Sequence, residues 1–196
     1  MMQISVNIND TQKQLAIQPG DTLLDALRRA GYKSVKFADD TGLYGCDTVL
    51  LNGKAVSARL TMAAKADGAK IVTIEGLAKD GQLHPLQQAF IEHGAAQCGY
   101  HVPGMILTAK AFLDAHPNAA EADIREALIG TLDRDSGYKK PIEAILAYQR
   151  GEVGNTAAPK SEPMKPTIPP WRTNTRAIRP RGAPIARRMP ISRVRW

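Results

Sequence analysis

Two cysteines, Cys46 and Cys98, are the only thiols in a chain of 196 residues. They allow at most one internal disulfide, and they exclude a disulfide framework or any site that needs four thiolates from this chain. His84, His93 and His116 share neither a helical face nor a ligand spacing, so each reads as a surface or capping residue. No Ser/His/Asp or Cys/His arrangement for nucleophilic attack stands out. The glycines at 42 and 45 come without the lysine and hydroxyl of a phosphate loop. The chain is therefore expected to carry no catalytic site of its own.

The elements that would position such residues read as α+β. Ile4, Val6 and Ile8 alternate with polar residues over Gln3 to Asn9, the period of a half-buried strand, and Leu15 and Ile17 repeat it. Pro19-Gly20 turns the chain, Asp21 is the expected N-cap, and the helix that follows stops at Gly31. Thr48 to Leu51, the hairpin turn Asn52-Gly53, Lys54 to Leu60 and Lys70 to Ile74 add three strands. This first domain is expected to span 1–77. Residues 78–150 read as four short helices, beginning at Pro85, Pro103, Asp123 and Pro141, in an antiparallel bundle. Phe37, Phe90 and Phe112 read as core.

Charge separates the end of the chain from the rest. Of a net +7, residues 151–196 hold ten Lys/Arg against two Glu, together with eight of the 13 prolines and both tryptophans. The body is near neutral, so basicity belongs to a tail and does not make the whole chain a nucleic-acid binder. The tail reads as an extended basic segment that wraps a partner, with Trp171 and Trp196 as anchors. Nucleic-acid binding and a solvated tail are the competing readings. Apolar residues make up 43%, an ordinary soluble composition, and no run reaches the ~20 residues of a membrane span. Without a visible secretion signal, the chain reads as cytoplasmic.

Five stretches carry a resemblance over residues 1 to about 150: Thr48-Val49-Leu50-Leu51-Asn52-Gly53-Lys54, Thr73-Ile74-Glu75-Gly76-Leu77, Glu92-His93-Gly94-Ala95-Ala96-Gln97-Cys98-Gly99, Pro103-Gly104-Met105 and Ile124-Arg125-Glu126-Ala127-Leu128. On these the chain resembles the small iron–sulfur subunit of the xanthine dehydrogenase and aldehyde/carbon monoxide dehydrogenase group of molybdenum hydroxylases. The resemblance implies an N-terminal ferredoxin-like β-grasp domain, a helical four-helix domain and two 2Fe–2S clusters held by cysteines. The first cluster's positions fall on Asp39, Tyr44, Asp47 and Arg59, and the second's on Cys98, His101, Asp133 and Asp135. Seven of the eight are not cysteine.

Thiolates hold such clusters, with histidine as a partial substitute, and a guanidinium has no lone pair to give. The first set is expected to form an Asp39–Arg59–Asp47 salt bridge instead. The second set stays open between a hydrogen-bonded turn, a single ion with sulfur, nitrogen and oxygen donors, and a cluster remnant. The resemblance also implies that Gln97 and Cys98 lie beside the pterin of a molybdenum cofactor on a large subunit. The alternative is that Gln97 satisfies backbone groups and Cys98 is a small buried apolar residue.

The leading expectation is a structural and interaction subunit that binds no cofactor itself and has lost both clusters. Its partners would be a large molybdenum-binding subunit, and a flavin subunit or a cluster-bearing paralogue. The alternatives are an electron-transfer or metal-binding subunit using Cys98, His101, Asp133 and Asp135, and nucleic-acid binding through the tail.

Overall fold

The computed structural model describes residues 2–154, so the expectations for the basic tail lie outside the described residues. Strands β1 (Met2–Ile8) and β2 (Thr11–Ile17) form an antiparallel pair with Ile8 opposite Thr11. The two residues between them, Asn9 and Asp10, both have positive φ, as a tight hairpin of this hand requires. Strand β2 begins earlier than its apolar alternation suggests. Thr11 to Gln14 are exposed or half-buried, and only Leu15 and Ile17 reach the core. Helix α1 (Leu23–Arg29) buries Leu23, Leu24, Ala26 and Leu27. Its N-cap is Thr22 rather than the expected Asp21. Thr22 accepts from the Asp25 amide and Asp25 accepts from the Thr22 amide, a reciprocal cap. Asp21 instead accepts from the Gln18 amide and from Arg29.

Strands β3 (Thr48–Leu51) and β4 (Lys54–Ser57) close around Asn52-Gly53, both at positive φ. Strand β4 stops three residues short of expectation, because the chain from Ser57 to Arg59 turns to bond Asp47. Strand β5 (Lys70–Val72) is also shorter, since Ile74 begins a single 3-10 turn. The sheet order is β2-β1-β5-β3-β4, with β5 parallel to β1 and the remaining pairs antiparallel. This mixed sheet with one helix across it is the ferredoxin-like half.

Helices α2 (Pro85–Glu92), α3 (Val102–Ala115), α4 (Glu121–Ala127) and α5 (Lys139–Gln149) follow. His84 caps α2 through Nδ1, which accepts from the Leu86 amide at 3.1 Å. Strand β3 explains how the two halves share one sheet. Successive side chains of a strand point to opposite faces. Val49 enters the core built on α1, and Leu50 enters the core built on α2, α3 and α5. Phe90 is buried in that second core and Phe112 packs at its edge. Phe37 departs from expectation: it is 45% exposed and stacks under the Arg59 guanidinium. No helix among the described residues is long and apolar enough to cross a membrane.

The loop from 30 to 47 meets α3 backbone to backbone at Gly45. A Cβ on Gly104 would meet the Gly45 carbonyl oxygen at 2.0 Å, and one on Gly45 would meet the Gly130 carbonyl oxygen at 2.3 Å. Gly45 also has φ +64°, a conformation other residues rarely hold. Gly104→Ala is therefore expected to cost on the order of 2–4 kcal/mol, since backbone on both sides must move. Gly130→Ala, with nothing within 4 Å of the added carbon, should melt close to the parent. Thermal unfolding of the two variants checks this.

Candidate metal centre

Tyr44 from the first set of positions and His101 and Asp135 from the second meet at one cleft. Its walls are Ala38, Tyr44 and Cys46 from the first loop, Tyr100 and His101 before α3, and Leu132, Arg134 and Asp135 from the segment before α5. Its volume is about 220 Å³. The Leu132 amide donates to the Tyr44 carbonyl at 3.1 Å, and the Tyr100 hydroxyl donates to the Phe37 carbonyl.

At the first position the expected Asp39–Arg59–Asp47 bridge does not form. Asp47 is buried and accepts from the Ser57 hydroxyl at 2.5 Å and from the Arg59 backbone amide at 2.8 Å. The Arg59 guanidinium reaches outward to Asp40 and, at 3.5 Å, to Asp25. Asp39 closes a local turn with Thr41. The physical reason is burial. Asp47 faces inward where amide and hydroxyl donors reach it without desolvating a second charge, whereas the guanidinium keeps contact with water. Tyr44 is 42% exposed. Ser57, which the sequence reading missed, carries no motif that marks it; only its place opposite Asp47 makes it a partner.

At the second position the geometry is tighter. His101 and Asp133 are both buried, with the His101 Nε2 atom 3.0 Å from the Asp133 carboxylate. A carboxylate only accepts, so the contact places a proton on Nε2. Nδ1 lies 3.8 Å from Cys98 Sγ. Asp133 also accepts from the amides of Asp135 and Ser136 and from the Ser136 hydroxyl. Burial raises its pKa, but the Ser136 hydroxyl and amide, His101 and the Asp135 amide together bring it below the ordinary carboxylate value. The Tyr138 hydroxyl braces the turn, accepting from the Asp133 amide and donating to the Thr131 carbonyl. The spacing Asp133-x-x-Ser136 is the legible sign of such a turn; the tyrosine has none.

The fold brings Cys98, His101 and Asp133 into one chain of contacts. Donor atoms of Cys98, His101 and Asp135 lie within 4.8 Å of one another, while Asp133 stands behind His101. Cys98 is exposed, so it is not the small buried residue of the second reading above; Gln97 beside it is exposed too. Cys46, by contrast, is buried. Burial and then the neighbouring Asp47 charge push its thiol up to about 11.

A sheet of this order over α1, joined to four helices with a ligand loop at each half, defines the class of iron–sulfur proteins built from two such halves. A profile described as "2Fe-2S binding domain" matches residues 73–146. The chain is 44% identical over 146 residues to the nicotinate dehydrogenase small FeS subunit of Eubacterium barkeri, covering 74% of this chain and 92% of that one. It is 40% identical over 150 residues to the xanthine dehydrogenase iron-sulfur-binding subunit of Escherichia coli O157:H7, covering 75% and 94%. Among solved structures, the aldehyde oxidoreductase of Desulfovibrio desulfuricans superposes with TM-score 0.74 at 36% identity, over 78% of this chain and 18% of that one. Quinoline 2-oxidoreductase from Pseudomonas putida 86 gives TM-score 0.72 at 36% identity, over 78% and 98%. The chain belongs to the small iron–sulfur subunits of the molybdenum hydroxylases.

This membership overturns the expectation of a chain without a cofactor: the matching profile is a 2Fe–2S binding domain, and the relatives are FeS subunits. The cofactor tied to this fold is a 2Fe–2S cluster. The side chains at the first position do not fit one. None is a thiol, Asp47 is committed to Ser57 and the Arg59 amide, and Arg59 is a cation. The second position offers one thiol, and the buried carboxylate of Asp133 already bonds His101 and the Ser136 amide.

Two measurements follow from these contacts. Asp47→Ala leaves the part-buried Arg59 amide and the Ser57 hydroxyl without their acceptor and should cost ~1–3 kcal/mol. Arg59→Ala removes pairs that face solvent and should cost less than ~1 kcal/mol. Chemical denaturation separates the two. In alkylation of the native full chain at neutral pH followed by peptide mass mapping, Cys98 should react and Cys46 should not until unfolding, because the thiolate is the reacting form.

Proposed function

We propose that this chain is the interaction subunit of a molybdenum-hydroxylase-type complex and docks, through the cleft face, on a large subunit that carries the molybdenum–pterin cofactor. The observation that carries the reading is the mouth of the cleft. Tyr44, Tyr100 and Leu132, which line it, are 42%, 47% and 51% exposed, and large apolar side chains grouped on a surface normally mark an interface. Gln97 and Cys98 stand exposed on the adjoining loop, where the family resemblance implies a pterin neighbour. The likeness to FeS subunits of named dehydrogenases supports a multi-subunit assembly.

In this reading the first position contributes shape and hydrogen bonding in place of an electron carrier. A flavin subunit or a cluster-bearing paralogue would complete the complex. Residues 2–77 and 78–150 act as two layers of one subunit, with the sheet on one side and the helices on the other.

The test is purification of the tagged full chain from its native host under conditions that keep subunits together. The expected result is a stable complex containing molybdenum and releasing a fluorescent oxidised pterin. Tyr100→Asp combined with Leu132→Asp should weaken that complex by at least roughly tenfold, as loss of central apolar contacts does. A chain that runs alone on native sizing, with molybdenum and pterin only in other fractions, overturns the proposal.

A further inference from the structure

The second ligand position offers a donor set that disagrees with the cluster its family carries, and the disagreement has a definite chemistry. We propose that Cys98, His101 and Asp135 bind one divalent transition-metal ion of the zinc kind, with Asp133 as the positioning residue behind His101. This goes beyond partner docking and is tested on the chain alone.

Distance supports one ion. Bonds of ~2.0–2.3 Å at tetrahedral angles put donor atoms about 3.4–3.6 Å apart. Cys98 Sγ and His101 Nδ1 are 3.8 Å apart, and the Asp135 carboxylate lies within 4.8 Å of both ligand atoms. A two-iron cluster holds its two ligand pairs at opposite ends of an iron–sulfide rhomb, farther apart than a single ion does. Here the pair from the loop before α3 and the residue from the segment before α5 have donor atoms within 4.8 Å of one another.

Tautomer supports it as well. Asp133 holds a proton on His101 Nε2, so Nδ1 is the ring nitrogen that faces the thiol. A carboxylate behind the distal nitrogen is the usual way a metal-binding imidazole is oriented and made more basic. Asp133 is itself held rigid by three donors from Asp135 and Ser136.

Charge supports an ion over a nucleophile. A Cys98 thiolate would sit beside the Asp135 carboxylate, and two anions in contact repel unless a cation lies between them. Sulfur, nitrogen and oxygen together suit zinc or another borderline divalent ion. Three protein donors leave the fourth position for solvent from the cleft that His101 and Asp135 line.

The experiment uses the full chain, stripped with a chelator and titrated with Co2+ and then Zn2+. About one Co2+ per chain should bind, with the visible bands of tetrahedral cobalt and a near-ultraviolet sulfur-to-cobalt charge-transfer band, all bleached by Zn2+. Cys98→Ser, a change on an exposed loop, should fold as the parent does and lose the charge-transfer band. Asp133→Asn should keep that band and bind roughly 10–100-fold more weakly, the signature of an orienting group. Bound Zn2+ should also shield Cys98 from alkylation. Absent cobalt bands, or a charge-transfer band that survives Cys98→Ser, would overturn the site. Two irons with inorganic sulfide per chain after anaerobic reconstitution would overturn it in favour of a cluster. Equal affinity in Asp133→Asn would overturn the positioning role.

Discussion

The architecture depends on a place where backbone meets backbone with no side chain between. Gly104, in the first turn of α3, lies against the carbonyl of Gly45, and Gly45 lies against the carbonyl of Gly130. Three segments distant in sequence are thereby held within van der Waals contact. The cleft exists because of this approach. A methyl group at either glycine would separate the ferredoxin-like loop from the helical half and carry Tyr44 and Cys46 away from His101 and Asp135. The Leu132-to-Tyr44 amide bond then fixes the register of the approach.

Around that contact the two sets of positions satisfy buried polar groups in opposite ways. At the first, one carboxylate, Asp47, accepts from an amide and a hydroxyl, and the cation nearby stays with solvent-facing acids. At the second, a buried carboxylate and imidazole pair with each other, and a thiol and another carboxylate sit at the rim. The first arrangement is closed, since each contact to Asp47 comes from within the protein. The second leaves a ring nitrogen, a sulfur and an oxygen within 4.8 Å of one another.

Much of the fold was legible in the sequence because its signals are local. Alternation marked β1 and the core-facing end of β2, Asn52-Gly53 marked the hairpin, and Pro85 marked the start of α2. Where the reading missed, a tertiary partner outweighed a local preference. Thr22 took the cap because Asp25 closes a box around it, and β4 ended early because Asp47 draws Ser57 and the Arg59 amide inward. Phe37 reads as core by type, yet it serves as a platform under Arg59. The candidate site was legible as a set of positions through the family motifs, but not as a geometry. Nothing in the spacing says that Arg59 would turn away from Asp47, that Asp133 would stand behind His101 rather than beside Cys98, or that Tyr138 would brace the turn from five residues away. Those outcomes follow from which side of each loop faces solvent, and that is decided only when the halves pack.

The course of the loop through Gly45 is set by glycine and carbonyl contacts, so Gly45 and Gly104, rather than the side chain at 44, keep the peptide in place there. Asp47 is the exception, because it also ties down the end of β4. The scaffold is in that sense a socket whose walls are peptide. A point change at 44 alters the chemistry presented at the cleft without rebuilding the path of the chain.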